Sequence, residues 1–180
     1  KTLLAFCISL LFLSSGCIEI VEEIKINADK SGTVSFSLDL GSVAGMAMNL
    51  GADYVDGSLL QQIKTLPETV SGMLREVDGI SNIKPTTNKN GLYAVSFDFK
   101  NSKELNDALY KLLGQKKRFY EPGYMKIKKH KLVKKNYAPI LRLFINKYKD
   151  QMKDKNILKW VSYKASLTFP SPVKRFSNKT

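Results

Sequence analysis

Cysteine and histidine are almost absent from this sequence, whose 180 residues include two cysteines and one histidine. A disulfide framework needs several cysteine pairs, and a structural zinc site needs four Cys or His ligands, so both are excluded. Most catalytic pairs of a nucleophile with a histidine are excluded as well, because His130 is the single histidine. We therefore expect a fold that depends on its hydrophobic core, without a metal or another cofactor.

Motifs of common enzymes are also missing. The sequence contains no GxSxG, HExxH, CxxC, GxGxxG or P-loop pattern. His130 lies within a run of lysines, where a solvated strand histidine is commoner than a general base. Glu19, Glu22, Glu23 and Asp29 cluster near the N-terminus, and we interpret them as a solvated face of a strand. We therefore expect that the protein is not an enzyme.

No hydrophobic run is long enough to cross a membrane. The longest covers residues 3–13, and a helix of that length spans only about 16 Å of a hydrocarbon layer about 30 Å thick. Lys1 precedes the run, and the small residues Ser14, Ser15 and Gly16 follow it, directly before Cys17. A positive start, a short apolar core and small residues are typical of a signal peptide.

The residues up to Cys17 resemble the lipobox of bacterial lipoproteins, although Ser14 stands where the lipobox usually has Leu. The resemblance implies that signal peptidase II removes residues 1–16 and that Cys17 carries the lipid. This hypothesis explains both cysteines, because Cys7 leaves with the signal peptide. The alternatives are an ordinary secretory signal cleaved near Ser15, or a buried core helix. Both leave Cys17 as an unexplained thiol.

Periodicity along the rest of the chain predicts both strands and helices. Apolar and polar residues alternate in strands, and apolar residues recur every three or four positions in helices. The predicted strands are a hairpin over 18–40, a second hairpin over 80–99, a strand over 124–133 and a strand over 161–169. The predicted helices are 58–77, which Pro67 splits or kinks, 101–114 with Asn101 as N-cap, and 138–152.

These elements predict one α+β domain over residues 17–180, with a largely antiparallel sheet of hairpins and about three helices packed on one face. Because the sequence stops soon after its clearest strand, we expect that a C-terminal piece of the domain is missing.

The turn of the first hairpin partly matches a calcium loop. Asn27, Asp29, Ser31 and Gly32 occupy positions one, three, five and six of an EF-hand loop. Position twelve is Leu38, where calcium requires a bidentate Glu, and a strand follows instead of a helix. We therefore interpret residues 27–32 as a hairpin turn without a metal.

Positive charge is concentrated in the second half of the chain. Residues 18–101 carry 7 Lys and Arg against 11 Asp and Glu, a net −4, whereas residues 102–180 carry 21 against 5, a net +16. Nine basic residues form a candidate surface for binding anions: Lys116, Lys117, Arg118, Lys126, Lys128, Lys129, Lys131, Lys134 and Lys135.

The basic run also contains aromatic residues, including Phe119, Tyr120 and Tyr124. In a cytoplasmic protein this combination would indicate nucleic-acid binding. Export argues against that partner and leaves anionic lipid headgroups or glycans of the envelope. The alternative is a charged, solvated face that only keeps the domain soluble.

Cys17, residues 31–40 (SGTVSFSLDL) and residues 167–173 (LTFPSPV) together resemble bacterial envelope lipoproteins, and more distantly LppM-type domains. The resemblance supplies no catalytic residue and implies location more than activity. We expect a lipid-anchored, non-enzymatic protein of the bacterial cell envelope, on the periplasmic or the outer-membrane side, which binds anionic envelope components or an unknown protein partner. The alternative is a small lipid-handling protein or an enzyme whose site forms only in three dimensions.

Overall fold

The computed structural model describes residues 18–41, 57–88, 91–114, 123–128, 131–135 and 161–175. These residues form an α+β fold, as predicted. In chain order the elements are β1 (Ile18–Ile26), β2 (Gly32–Asp39), α1 (Gly57–Arg75), β3 (Ile80–Thr87), β4 (Leu92–Phe99), α2 (Ser102–Leu112), β5 (Met125–Lys128), β6 (Lys131–Lys134) and β7 (Val161–Thr168).

Two helices, rather than about three, are present in this described part of the chain. The helix predicted over 138–152 lies outside the described residues, as do the predicted signal peptide and Cys17. Pro67 lies inside α1, so the helix is not split there. Asn101 caps α2 as predicted, because its side chain accepts hydrogen bonds from the backbone N–H groups of Lys103 and Glu104.

Five strands form one sheet in the order β3-β4-β2-β1-β7. The two predicted hairpins are confirmed, since β1 pairs antiparallel with β2 and β3 pairs antiparallel with β4. β7 is an edge strand that pairs parallel with β1. Sequence periodicity predicts the existence of β7 but gives no information about its partner or its direction.

One face of the sheet forms the core, and both described helices pack on it. Its strand residues alternate along β1, β2 and β4 with the period of two that a half-buried strand requires. The helices contribute Leu74, Leu105, Ala108 and Leu109 to the same cluster. The buried strand residues are Ile24, Ile26, Val34, Val95, Phe97 and Phe99.

The single strand predicted over 124–133 is wrong. The structure has two short strands there, β5 and β6, which pair antiparallel with Met125 opposite Lys134 and Ile127 opposite Leu132. The apolar residues change phase between Ile127 and Leu132, from odd to even positions. A hairpin produces this change because its turn reverses the chain, whereas one continuous strand would place the two residues on opposite faces.

Asn106 of α2 attaches the β5–β6 hairpin to the core. Its buried side-chain amide accepts a hydrogen bond from the backbone N–H of Met125 at 2.9 Å and donates one to the backbone carbonyl of Met125 at 2.6 Å. The same amide nitrogen donates to the carbonyl of Ser102. The side chain therefore acts as a neighbouring strand for the first residue of β5.

We expect Asn106→Ala to lower the free energy of unfolding by about 2 kcal/mol or more, because two buried backbone groups of Met125 lose their partner. Denaturant unfolding monitored by circular dichroism measures the change. Lys103→Ala, on the exposed side of the same helix, is the control and should change stability by less than about 0.5 kcal/mol. Equal effects of the two substitutions would contradict the role of Asn106.

Candidate functional site

The two faces of the β5–β6 hairpin differ in chemistry. Cross-strand pairing places Met125, Ile127, Leu132 and Lys134 on one face, and the first three are packed against the core cluster. Lys134 is therefore the one lysine of β5 and β6 that lies on the inner face, which packs against the sheet. The opposite face carries the remaining lysines of the two strands.

Lys134 meets Glu22 in the interior. Glu22 lies on the same face of β1 as Ile24 and Ile26 and is fully buried, so the prediction of a solvated acidic face is wrong for this residue. The period-two pattern already placed Glu22 on the apolar side of β1. The Nζ atom of Lys134 lies 2.6 Å from Oε2 of Glu22, and the lysine side chain is only 13% exposed.

Tyr163 of β7 completes this arrangement. Its hydroxyl donates a hydrogen bond to Oε2 of Glu22 and accepts one from Nζ of Lys134 at 3.1 Å. The same Nζ lies 5.7 Å from the centroid of the tyrosine ring, within the range of a cation–π interaction. Glu22, Lys134 and Tyr163 thus form one cluster, here called the Glu22–Lys134–Tyr163 cluster, that joins β1, β6 and β7. Glu22 is buried in it, whereas Tyr163 is 37% exposed.

The electrostatics of the cluster favour a structural role. Burial of the hydroxyl raises the pKa of Tyr163 above its usual value, and its hydrogen bond to Glu22 and the negative charge of Glu22 raise the pKa further. The hydroxyl therefore stays protonated and acts as a donor. Because the cation and the donor both contact one carboxylate, the cluster is suited to holding the hairpin against β1 and β7.

The outer face of the hairpin is basic. Lys126, Lys128 and Lys131 are exposed, and Val133 among them is 46% exposed. Lys135, which follows β6, is also exposed, and its Nζ lies 5.7 Å from the ring centroid of Tyr124. The outer hairpin face is defined here as these five residues: Lys126, Lys128, Lys131, Val133 and Lys135. The described residues of the hairpin, 123–128 and 131–135, include no acidic side chain.

The structure thus divides the predicted basic surface. Four of its members lie on the outer hairpin face, whereas Lys134 points inward to Glu22 and does not belong to that surface. The phase change between β5 and β6 is the sequence signal that separates Lys134 from the other lysines. The remaining predicted members lie outside the described residues: Lys116, Lys117, Arg118 and Lys129. His130 lies outside them too.

Lys134 of the β5–β6 hairpin contacts the sheet at Glu22, in the middle of β1. Ile20 of β1 pairs with Tyr163, and Glu22 follows two residues later. Cys17 directly precedes Ile18, the first residue of β1. At about 3.3 Å per strand residue, Glu22 is at most about 17 Å along the chain from Cys17.

The predicted turn between β1 and β2 has the expected hydrogen bonds. The carboxylate of Asp29 accepts hydrogen bonds from the backbone N–H of Ser31 at 3.0 Å and from its hydroxyl at 2.6 Å. These bonds lower the pKa of Asp29. Within the described ranges, no group of three or more His, Cys, Asp or Glu residues lies close enough to hold a metal ion.

Beside this turn, where β1 ends and β2 begins, lies a cavity of about 410 Å³. Polar and apolar groups share its lining about equally: Asn27, Ser31, Gly32, Thr33, Gly79, Ile80, Ser81, Asp98, Phe99 and Lys100. The carboxylate of Asp98 accepts hydrogen bonds from Asn82 and Thr33, each at 2.7 Å, which lower its pKa. The side chains of Asn82 and Thr33 therefore already satisfy this carboxylate.

None of the helices among the described residues combines the length and the apolar character that a membrane span requires.

Comparison with models of protein families, with curated proteins and with solved structures finds no match to this chain. The candidate site therefore depends on the geometry of the hairpin and on the chemistry of its two faces.

Proposed function

We propose that this protein is a lipid-anchored, non-enzymatic component of the bacterial cell envelope whose outer hairpin face binds anionic lipid headgroups. Cys17 would carry the lipid, and the outer hairpin face would contact the membrane surface around the anchor. One observation carries the proposal: exposed Lys126, Lys128 and Lys131 lie together on one side of a hairpin whose other side packs on the core.

Lipid headgroups suit this surface better than soluble anions do. Each lysine near an anionic membrane contributes about 1 kcal/mol of electrostatic attraction. The exposed side chain of Val133, which pairs with Lys126 on the same face, can contact the apolar boundary below the phosphates. Basic residues around an exposed apolar residue are typical of a surface that lies on a bilayer.

The described cavity gives no support to the lipid-handling alternative. An acyl chain requires a mainly apolar cavity, whereas about half of the surface that lines this one is polar. The cavity also lies at the end of β1, away from its first residue, Ile18.

The proposal predicts salt-sensitive binding to anionic vesicles. Protein carrying Cys17→Ala should sediment with phosphatidylglycerol vesicles at low salt and not with phosphatidylcholine vesicles. Replacing Lys126, Lys128, Lys131 and Lys135 together by Glu should abolish sedimentation. Binding of the unreversed protein should disappear near 1 M salt, because the Debye length falls from about 10 Å at 0.1 M to about 3 Å.

A matched variant distinguishes binding by the hairpin lysines from an effect of the protein's net charge on vesicle binding. Reversing four other exposed lysines, Lys25, Lys30, Lys64 and Lys100, changes the net charge by the same amount and should leave most of the binding intact. Equal loss in both variants, or equal binding to neutral vesicles, would contradict the proposal. Binding to a soluble anionic polysaccharide such as alginate, without binding to vesicles, would reassign the surface to glycans.

A further inference from the structure

The two edges of the five-stranded sheet are built differently. β3 forms one edge, and its pairing with β4 shifts register between Ser81 and Lys84. Asn82 within this shift has a φ of 50°, in the left-handed region, and Pro85 further along β3 has no N–H to donate. Irregular pairing and proline are devices that protect an edge strand from pairing with another chain.

β7, at the other edge, has none of these features. Its eight residues pair with β1 in unbroken register from Val161 to Thr168. The strand contains no proline, glycine or bulge, and four consecutive residues in its middle, Tyr163 to Ser166, are exposed. Within the described part of the chain, β1 is its one strand neighbour. A regular, exposed edge of this length can pair with an added strand.

We infer that β7 is a binding edge for an extended, acidic peptide segment of a partner protein, which adds to the sheet as a sixth strand. This inference is independent of the proposed membrane contact, because that contact uses the outer hairpin face.

Charge favours an acidic partner over a second copy of this chain. Residues 161–175 include Lys164, Lys174 and Arg175 and no acidic residue, and the chain as a whole carries +13. This net positive charge disfavours the association of two copies and favours an acidic partner, although Glu19 and Glu23 of β1 lie on the same face as Lys164. Lys164 already forms an ion pair with Glu19, but its side chain remains 68% exposed and is accessible to a second carboxylate.

The two sides of β7 indicate in which order apolar and acidic residues should alternate in such a peptide. Tyr163, Ala165 and Leu167 continue the core face of the sheet, where β7 pairs with Ile20, Glu22 and Ile24 of β1. Ser162, Lys164 and Ser166 lie on the opposite face. Because neighbouring strands place paired residues on the same face, apolar residues of the peptide would lie beside Tyr163 and acidic residues beside Lys164.

A labelled eight-residue peptide in which Val alternates with Glu tests the inference, with binding to Cys17→Ala protein followed by fluorescence anisotropy. Saturable binding should shift the backbone amide resonances of residues 161–168 in NMR spectra more than those of residues 131–135. The matched controls are two peptides of the same sequence. One is methylated on the backbone nitrogens of its odd residues, and the other on those of its even residues. One of these two methylated peptides should bind at least about 10-fold more weakly than the unmethylated peptide, because it has lost the N–H groups that donate hydrogen bonds to β7.

Equal binding of the unmethylated peptide and both methylated peptides would overturn the inference, because it would show simple attraction between charges. Absence of binding by the unmethylated peptide would overturn it as well. Concentration-dependent dimerisation of the protein alone, with the same amide shifts over residues 161–168, would show that a second copy occupies the edge instead. A Val–Lys peptide of equal length should not bind.

Discussion

Lys134→Met should lower the free energy of unfolding by about 3–5 kcal/mol. This effect is large for a lysine that the sequence assigns to an exposed basic surface, and for its replacement by an apolar residue of similar length. The substitution removes the cation from Glu22, whose carboxylate would remain fully buried, and a buried charge without its partner is strongly destabilising. Denaturant unfolding followed by circular dichroism measures this change.

A second substitution isolates the cause. In the Lys134→Met protein, Glu22→Leu should restore most of the lost stability, because an apolar pair of similar volume removes the need to bury a charge. Such recovery identifies the Glu22–Lys134 pair as the cause, since independent sites would add their separate losses. The hydroxyl of Tyr163 donates to the same carboxylate, so Tyr163→Phe should cost a smaller amount, about 1.5–3 kcal/mol.

Lys126→Met is the matched control, since Lys126 lies in the same hairpin but on its outer face, opposite Val133. We expect it to change stability by less than about 0.5 kcal/mol. If Lys134→Met cost no more than Lys126→Met, the two lysines would have equivalent environments. The Glu22–Lys134–Tyr163 cluster would then not describe the protein in solution.

Cys17→Ala should move the protein from the membrane fraction to the soluble fraction almost completely. Acyl chains attached at Cys17 would supply most of the membrane affinity, because two or more chains anchor a protein stably whereas electrostatic contacts alone are reversible. Cell fractionation followed by a high-salt wash measures the distribution. The wash removes any contribution from the outer hairpin face, so that the readout reports the lipid anchor.

Cys7→Ala is the control for this experiment. Cys7 lies within residues 1–16, which signal peptidase II would remove, so the variant should remain membrane-bound after the same wash. Retention of Cys17→Ala in the washed membrane fraction would contradict the lipid-anchor hypothesis. Release of both variants would show that changes in the signal peptide region impair export itself.

Local sequence patterns predicted the elements that depend on neighbouring residues. Val34 and Phe36 alternate with serines in β2, and Asn101 precedes the apolar stripe of α2. The side-chain periods of strands and helices are properties of a single segment. Capping also depends on residues only a few positions apart. The β1–β2 and β3–β4 hairpins and both described helices could therefore be identified without tertiary information.

The β5–β6 hairpin carries a local pattern that the prediction of one strand over 124–133 does not take into account. Met125 and Ile127 occupy one phase and Leu132 and Lys134 the other, which indicates a chain reversal between them. Lysines occupy both odd and even positions of this segment, so the alternation of apolar and polar residues is weak and the change of phase is difficult to recognise. Composition thus indicated the four lysines of the outer hairpin face, but not the division of the hairpin into an inner and an outer face.

Residue types and short spacings were enough to locate β1 to β4, β7 and both described helices. They also show the excess of positive charge in the second half and the lack of residues for a disulfide framework or a zinc site. These properties depend on residue types and on spacings of a few positions. That β7 lies parallel to β1, and that Lys134 and Tyr163 are the partners of Glu22, depends on the tertiary structure. Tyr163 is 141 residues from Glu22 in the chain, and no local pattern encodes a contact of that separation. The pairing of distant strands sets it, because register determines which side chains share a face of the sheet.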